Sequence, residues 1–261
     1  MKLDTFDLNG REDLSREALR KQWGFDSADS VLIGGSTHAG EEEILFRALA
    51  RLRKENLALK LLVAPRHTER AGKILELARR HGLKAILASA QFPTHPFSPI
   101  GGEGKTEGFD ILILDVLGEL RKIYPLADCV FMGGSLIRHG GQNPIEPAFS
   151  QRPIIHGPWV FNFQEIYERL DREGGSLQVK NEEELIFVLK RVLASDHERQ
   201  HLGNRAFEIL KGLRGATERN FAQINPLITV IAPQGPPQPS KIKIMEGVAG
   251  NPASTFDRAS Q

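Results

Sequence analysis

The chain has one cysteine, two tryptophans and two tyrosines, almost no net charge and no long apolar run. A single cysteine, Cys129, excludes an internal disulfide and fits a reducing compartment. Its apolar neighbours Val130, Phe131 and Met132 mark it as a buried small hydrophobe rather than a reactive thiol. With 34 Lys and Arg against 33 Asp and Glu the formal net charge is +1, too little field to recruit nucleic acid. No stretch reaches the ~18 to 20 apolar residues that a membrane-spanning helix needs. The opening residues 1–7 lack the apolar centre of a signal peptide. The expectation is a cytoplasmic chain, with attachment to a membrane surface through another segment or chain left open.

What is present is an ordinary globular composition, 40% hydrophobic and 26% charged over 261 residues, enough for a sizeable core. Apolar runs bounded by Gly, Pro and polar residues predict strands over 30–35, 59–64, 85–88, 111–115, 129–132 and 153–156. Helical periodicity predicts helices over 40–55, 69–81, 118–124, 144–150, 162–172, 182–194 and 198–213. In the first of these, Ile44, Leu45, Ala48, Leu49 and Leu52 form the apolar stripe, with Ser36 or Thr37 as its cap. Strands alternating with helices over about 190 residues imply an α/β fold, a Rossmann-like parallel sheet covered on both faces. Residues 1–29 read as a lead-in with a helix, 30–225 as the domain, and 226–261, rich in Pro and polar residues, as a mobile tail. The Pro- and Gly-rich stretch 91–108 reads as a long surface excursion.

Open α/β sheets bind ligands in loops at the C-terminal ends of their strands. Four such loops carry candidate residues. Gly133-Gly134-Ser135 and Gly140-Gly141 follow an apolar strand and lead into Gln142-Asn143-Pro144-Ile145-Glu146, the strand, loop, helix order in which backbone N–H groups meet a phosphate. Asn143, Pro144 and Glu146 equally spell a capping box with Asn at the cap, though a cap alone has no need of the glycine pairs. Ser36, Thr37 and His38 offer hydroxyls and a ring to a ligand, while Glu41, Glu42 and Glu43 behind them are also what a helix dipole favours. Pro65 and Arg66 end the second strand, where a guanidinium either grips a phosphate or is simply a surface charge. Leu117, Gly118 and Glu119 follow the fourth strand; Gly118 allows close backbone approach, and Glu119 offers an acceptor for sugar hydroxyls.

Two patterns lead elsewhere. His197-Glu198-Arg199-Gln200-His201 has the spacing of a zinc peptidase helix, but with Asp196 as cap His197 falls in an exposed first turn, and the inward stripe is Leu202, Ala206, Ile209, Leu210 and Leu213. Gly104-Lys105-Thr106 lacks the leading glycine of a P-loop, since Pro99 stands there.

The four loops, in this order, resemble the family of 3-deoxy-D-manno-octulosonic acid (Kdo) transferases of lipopolysaccharide synthesis. The likeness is collinear over 3–223: GSTHAGEE at 35–42, APRH at 64–67, Asp115 to Leu120 as D-x-x-GEL, ADCVFMGGSL at 127–136, GGQNPIEP at 140–147 and GPWVFNFQEI at 157–166. Val116 stands where the family usually has Thr, and Gln142 where it usually has His.

The resemblance implies a glycosyltransferase B fold of two Rossmann-like domains, of which this chain is the C-terminal, donor-binding one. It implies CMP-Kdo as donor, contacted by Pro65, Arg66, Leu117, Gly118, Glu119, Asn143, Pro144, Ile145 and Glu146, with Ser36, Thr37, His38, Gly140 and Gly141 lining the site. Arg66 is expected near the phosphate and Glu146 near the ribose. The resemblance further implies transfer to a lipid A precursor at the cytoplasmic face of a bacterial inner membrane. By the same resemblance the acceptor site, the membrane association and the catalytic base are expected on an N-terminal half absent from this chain, which a second chain would supply. No cofactor or metal is expected, and no Asp-x-Asp pair is present to bridge one to a diphosphate. The alternatives are a non-catalytic nucleotide-binding remnant and a nucleotide-sugar epimerase of the same fold class.

Overall fold

The fold is given by a computed structural model that describes residues 15–55, 57–91 and 108–213. The expected excursion lies almost wholly outside these residues, and the expected tail entirely so. Seven parallel strands, β1 (Ser30–Thr37), β2 (Leu59–Pro65), β3 (Ala85–Leu87), β4 (Ile111–Ile113), β5 (Cys129–Met132), β6 (Ile154–His156) and β7 (Ser176–Gln178), form one sheet. Its order is β3-β4-β2-β1-β5-β6-β7. The helices are α1 (Arg16–Gln22), α2 (Glu41–Lys54), α3 (Ala71–Arg80), α4 (Ala88–Gln91), α5 (Leu120–Ile123), α6 (Ile145–Phe149), α7 (Gln164–Arg172), α8 (Glu182–Ala194) and α9 (Asp196–Leu213).

Alternation along the strands builds two cores. Val31, Ile33, Val130 and Met132 face a cluster with Leu19 of α1, Trp23 just after it, Phe149 of α6, Tyr167 of α7 and Ile209 of α9. Leu32, Cys129 and Phe131 face the opposite cluster, with Leu45 and Leu49 of α2, Ile74 of α3 and Leu189 of α8. Both faces are thus buried, the condition a parallel sheet requires. Each fully buried Leu or Phe stabilises the fold by about 1.5 to 3 kcal/mol of transfer free energy. Cys129 is fully buried, and burial pushes its thiol well above the ordinary range, so it behaves as a hydrophobe.

Boundaries differ from the sequence reading where tertiary contacts intervene. Thr37 is a strand residue, not a cap: its hydroxyl donates to Glu42 Oε1 at 2.9 Å, and α2 begins after Gly40 at φ 97° without a side-chain cap. Asp196 is the first residue of α9 rather than its cap. Ser195 takes that place, its Oγ accepting from the Glu198 N–H at 3.1 Å. The helix expected over 69–81 opens as a 3-10 turn, Thr68–Arg70. β7, unforeseen, is an edge strand of three residues, Ser-Leu-Gln, with no β-branched side chain to announce it.

The order of the sheet fixes where a ligand goes. From β1 the chain first builds outward through β2 to β3 and β4, then crosses to β5 on the other side. The reversal point lies between β1 and β5, and the crevice outside their C-terminal ends is the binding place of a doubly wound sheet.

Candidate functional site

The four candidate loops leave four neighbouring strands, β4, β2, β1 and β5, all at their C-terminal ends. Along β1 the pairing with β2 shifts between Gly35 and Thr37. Ser36 takes φ 53° there, a left-handed conformation that costs a non-glycine residue energy and re-aims the strand end. His38 follows, 7% exposed. Pro65 is buried as the last residue of β2, and the N–H of the exposed Arg66 donates to the Thr37 carbonyl at 2.9 Å. The β1 and β2 loops are therefore tied by backbone.

His38 is the hub of a ring cluster. Its ring centroid lies 3.8 Å from that of His139 and 6.1 Å from that of His67. Burial first, then the charges of His139, His67, Arg70 and Arg66, lower its pKa to about 4. The neutral ring accepts at Nε2 from the Gln142 amide, 3.0 Å away. Gln142 thus serves as a donor to the β1 loop. Its carbonyl accepts from the Tyr167 hydroxyl at 2.8 Å.

The 133–146 segment is tightly moulded. A Cβ on Gly133 would sit 2.2 Å from the Ser36 carbonyl oxygen, so only glycine lets the two loops approach. The N–H of Gly141 donates to the Gly134 carbonyl, and that of Asn162 to the Gly140 carbonyl, both at 2.8 Å. Asn143 Oδ1 accepts from the Ile145 N–H at 3.1 Å, and Pro144, not Asn143, stands at the cap position of α6. Glu146 lies in the first turn of α6, close enough to Tyr124 that its charge, after burial, helps push that phenol up.

The N–H groups expected to meet a phosphate already meet an anion of the chain itself. The carboxylate of Glu41, fully buried at the start of α2, accepts from Gly134, Ser135 and Leu136 at 2.7, 3.0 and 3.1 Å. Burial pushes its pKa up, and these N–H groups pull it back. Its neighbour Glu42 is paired with both terminal nitrogens of Arg70 at 2.8 and 3.1 Å. The sequence reading assigned both acids to the helix dipole. A signal was available, because Glu41 lies four residues before Leu45 and so on the buried face of α2.

On the other side of β1 and β2, the exposed Leu117 and Gly118, at φ 83°, lead into Glu119. Glu119 is 8% exposed; its Oε1 accepts from Lys122 Nζ at 3.1 Å, and its buried Oε2 has no hydrogen-bond partner among the described residues. A buried carboxylate oxygen without a donor costs about 1 to 3 kcal/mol or more, and in a ligand-facing loop a hydroxyl donor from a ligand would satisfy it. His197 and His201 of α9 are exposed. Among the described residues no three His, Cys, Asp or Glu converge as a metal site. Among them also, no helix is long and apolar enough to cross a membrane.

No family model matches the chain. It is 33% identical over 226 residues to the 3-deoxy-D-manno-octulosonic acid transferase of Haemophilus influenzae, a span of 85% of this chain and 50% of that protein. It is 31% identical over 175 residues to the transferase of the same name from Aquifex aeolicus, covering 67% of this chain and 45% of that one. Among solved structures it is similar to the C-terminal CMP-Kdo binding domain of WaaA from Acinetobacter baumannii. That match has a TM-score of 0.65 and 28% identity, over 75% of this chain and 95% of the other. The fold is accordingly that of one Rossmann-like domain of the glycosyltransferase B class. The chain spans about half the length of the curated relatives it matches, and by sequence and fold together it belongs to the 3-deoxy-D-manno-octulosonic acid transferase family.

Proposed function

We propose that this chain is the donor-binding half of a Kdo transferase, holding CMP-Kdo in the crevice at the C-terminal ends of β4, β2, β1 and β5. The observation that carries this reading is the buried, unpartnered Oε2 of Glu119 beside the open turn at Gly118. An acceptor so placed suits the hydroxyls or amine of a nucleoside. The similarity to the CMP-Kdo binding domain of WaaA supports the choice of nucleotide and sugar. Pro65, Leu117, Pro144 and Ile145 supply apolar walls, Asn143 shapes the turn into α6, and Glu146 faces the ribose.

In this reading C2 of Kdo faces a hydroxyl of a lipid A precursor, and the bond to the CMP phosphate breaks as the new glycosidic bond forms, with inversion at C2. The phosphate leaves with the bonding electron pair. Because Glu41 occupies the N–H groups of 134–136 and α6 is only five residues long, the leaving charge falls chiefly to the Arg66 guanidinium. CMP is a good leaving group, so the domain's work is positioning and charge stabilisation. No metal or cofactor enters the reaction. The base that takes the acceptor proton, the acceptor site and the attachment to the cytoplasmic face of an inner membrane belong to a further domain, in the same or a second chain.

Calorimetric titration of the chain with CMP tests the donor site. Saturable binding is expected, weakened about ten- to hundredfold in Arg66→Ala and Glu146→Ala, as loss of a charge-assisted hydrogen bond of ~1.5 to 3 kcal/mol dictates. Wild-type affinity in both variants would overturn the assignment.

A further inference from the structure

Glu41 is an unusual residue to bury. It opens a 14-residue helix, where an exposed acid would complement the dipole at no desolvation cost. Instead its carboxylate is fully buried and saturated. Oε2 accepts from the N–H groups of Gly134 at 2.7 Å and His38 at 3.0 Å; Oε1 accepts from Ser135 at 3.0 Å and Leu136 at 3.1 Å. Two carboxylate oxygens offer four lone-pair directions, and four N–H groups fill them. Three successive amides converging on one anion make the concavity by which backbone binds phosphate. Here the anion is covalently part of the chain.

The contacts reach across the crevice. His38 belongs to the loop after β1, and 134–136 to the loop after β5. Gly134, held by Glu41, accepts through its own carbonyl from Gly141, two residues before Asn143. One carboxylate therefore fixes both rims of the crevice and, through a single further hydrogen bond, the turn that carries Asn143 to Glu146.

We propose that Glu41 is an internal anion, the resident ligand of a phosphate-type backbone concavity, and that it positions the donor loop before any donor arrives. The resident-anion part stands on the hydrogen bonds alone; the positioning part rests on the reading of the crevice as a CMP site. Neighbouring chemistry cannot substitute. Glu41→Gln keeps the shape but turns an NH2 group toward N–H donors. Glu41→Ala removes the two carbons of the CH2-carboxylate end, the size of an acetate ion.

That correspondence gives the test. The full chain, wild type, Glu41→Ala and Glu41→Gln, is titrated with sodium acetate against sodium chloride at equal ionic strength. Amide hydrogen exchange at 134–136 and CMP affinity are read at each step. In Glu41→Ala, exchange at 134–136 should accelerate and CMP affinity fall by about tenfold or more, the scale of several lost charge-assisted hydrogen bonds. Acetate, and not chloride, should restore both saturably. Glu41→Gln, whose site is filled, should be impaired and unresponsive. If Glu41→Ala folds only with acetate, seen as an acetate-dependent melting transition, the resident anion is supported by that dependence. Wild-type protection at 134–136 in Glu41→Ala, or a defect that acetate leaves unchanged, would overturn the proposal. A wild-type chain that takes no CMP would overturn the donor reading and the positioning role with it, while acetate-dependent protection would still uphold the resident anion.

Discussion

At the scale of the residue, the buried charges are those with several partners each. Asp128, 6% exposed just before β5, accepts from Arg16, from the nearly buried Arg20 at 2.6 Å and from the Val31 N–H at 2.7 Å, with Arg199 at 3.6 Å. Burial by itself would raise its pKa; the Val31 N–H and the two guanidiniums outweigh that and hold it low. Removing one partner of such a cluster strands the others. Asp128→Ala is expected to lower the unfolding free energy by roughly 3 to 5 kcal/mol, because Arg20 would stay buried without a counter-charge. Urea denaturation measures this, and a loss below about 1 kcal/mol would place the cluster among surface pairs of little worth.

At the scale of the element, the helices differ in what holds their first turns. α8 starts conventionally: Asn181 Oδ1 accepts from the Glu184 N–H at 3.0 Å, and Glu184 reaches back to the Lys180 N–H at 2.8 Å. Asn181→Ala should therefore cost about 1 kcal/mol, and Asn181→Gly only a few tenths, read as shifts in thermal midpoint. α2 has no side-chain cap and is anchored instead by Glu41 and Glu42 reaching into loops of other strands. α9 keeps its histidine pair parallel at 6.4 Å on the solvent face, while Leu202, Ala206, Ile209 and Leu210 point inward as the periodicity requires.

At the scale of the whole molecule, acid response follows from the groups whose protonation folding changes. Asp128 and Asp171 are held below the ordinary carboxylate value of 3.8: in Asp171 the His156 hydrogen bond and the Ser176 hydroxyl outweigh burial. Their stabilisation is present above that value and is lost as pH falls through their folded values. His38 is lowered from 6.5 to about 4, so between those values the unfolded chain binds a proton that the folded one refuses, and stability falls as pH falls. Glu41, raised above 4.5, runs the opposite way: its contribution is present below 4.5 and is lost as pH rises through its folded value. The urea midpoint should drop between pH 7 and pH 4, and His38→Gln should flatten that drop by the imidazole's share. An unchanged pH profile in His38→Gln would mean that the ring takes up a proton in the folded state as readily as in the unfolded one.

Much of this protein was legible in its residues, because the information is local. Continuous apolar runs at 30–35 and 129–132, and 3.6-residue stripes such as Leu45, Ala48, Leu49 and Leu52, mark strands and helices, and the succession of strand and helix marks a parallel sheet. Loops at strand ends then follow from the rule that places ligands there, which is why Arg66, Glu119 and Asn143 to Glu146 fall on one edge of one sheet. Only tertiary structure decided what those loops hold. A carboxylate at a helix start satisfies the dipole equally well whether it faces water or a concavity 93 to 95 residues away, and local sequence cannot separate the two. The same degeneracy hid β7, whose strand character comes from pairing with β6, and misplaced the caps of α2 and α9, where several polar neighbours compete for one N–H. The sequence determined the elements and their chemistry through short-range sterics and periodicity. The approach of β1 and β5, enforced by the missing Cβ of Gly133 and the buried charge of Glu41, turned a phosphate-type loop into one already occupied by the protein itself.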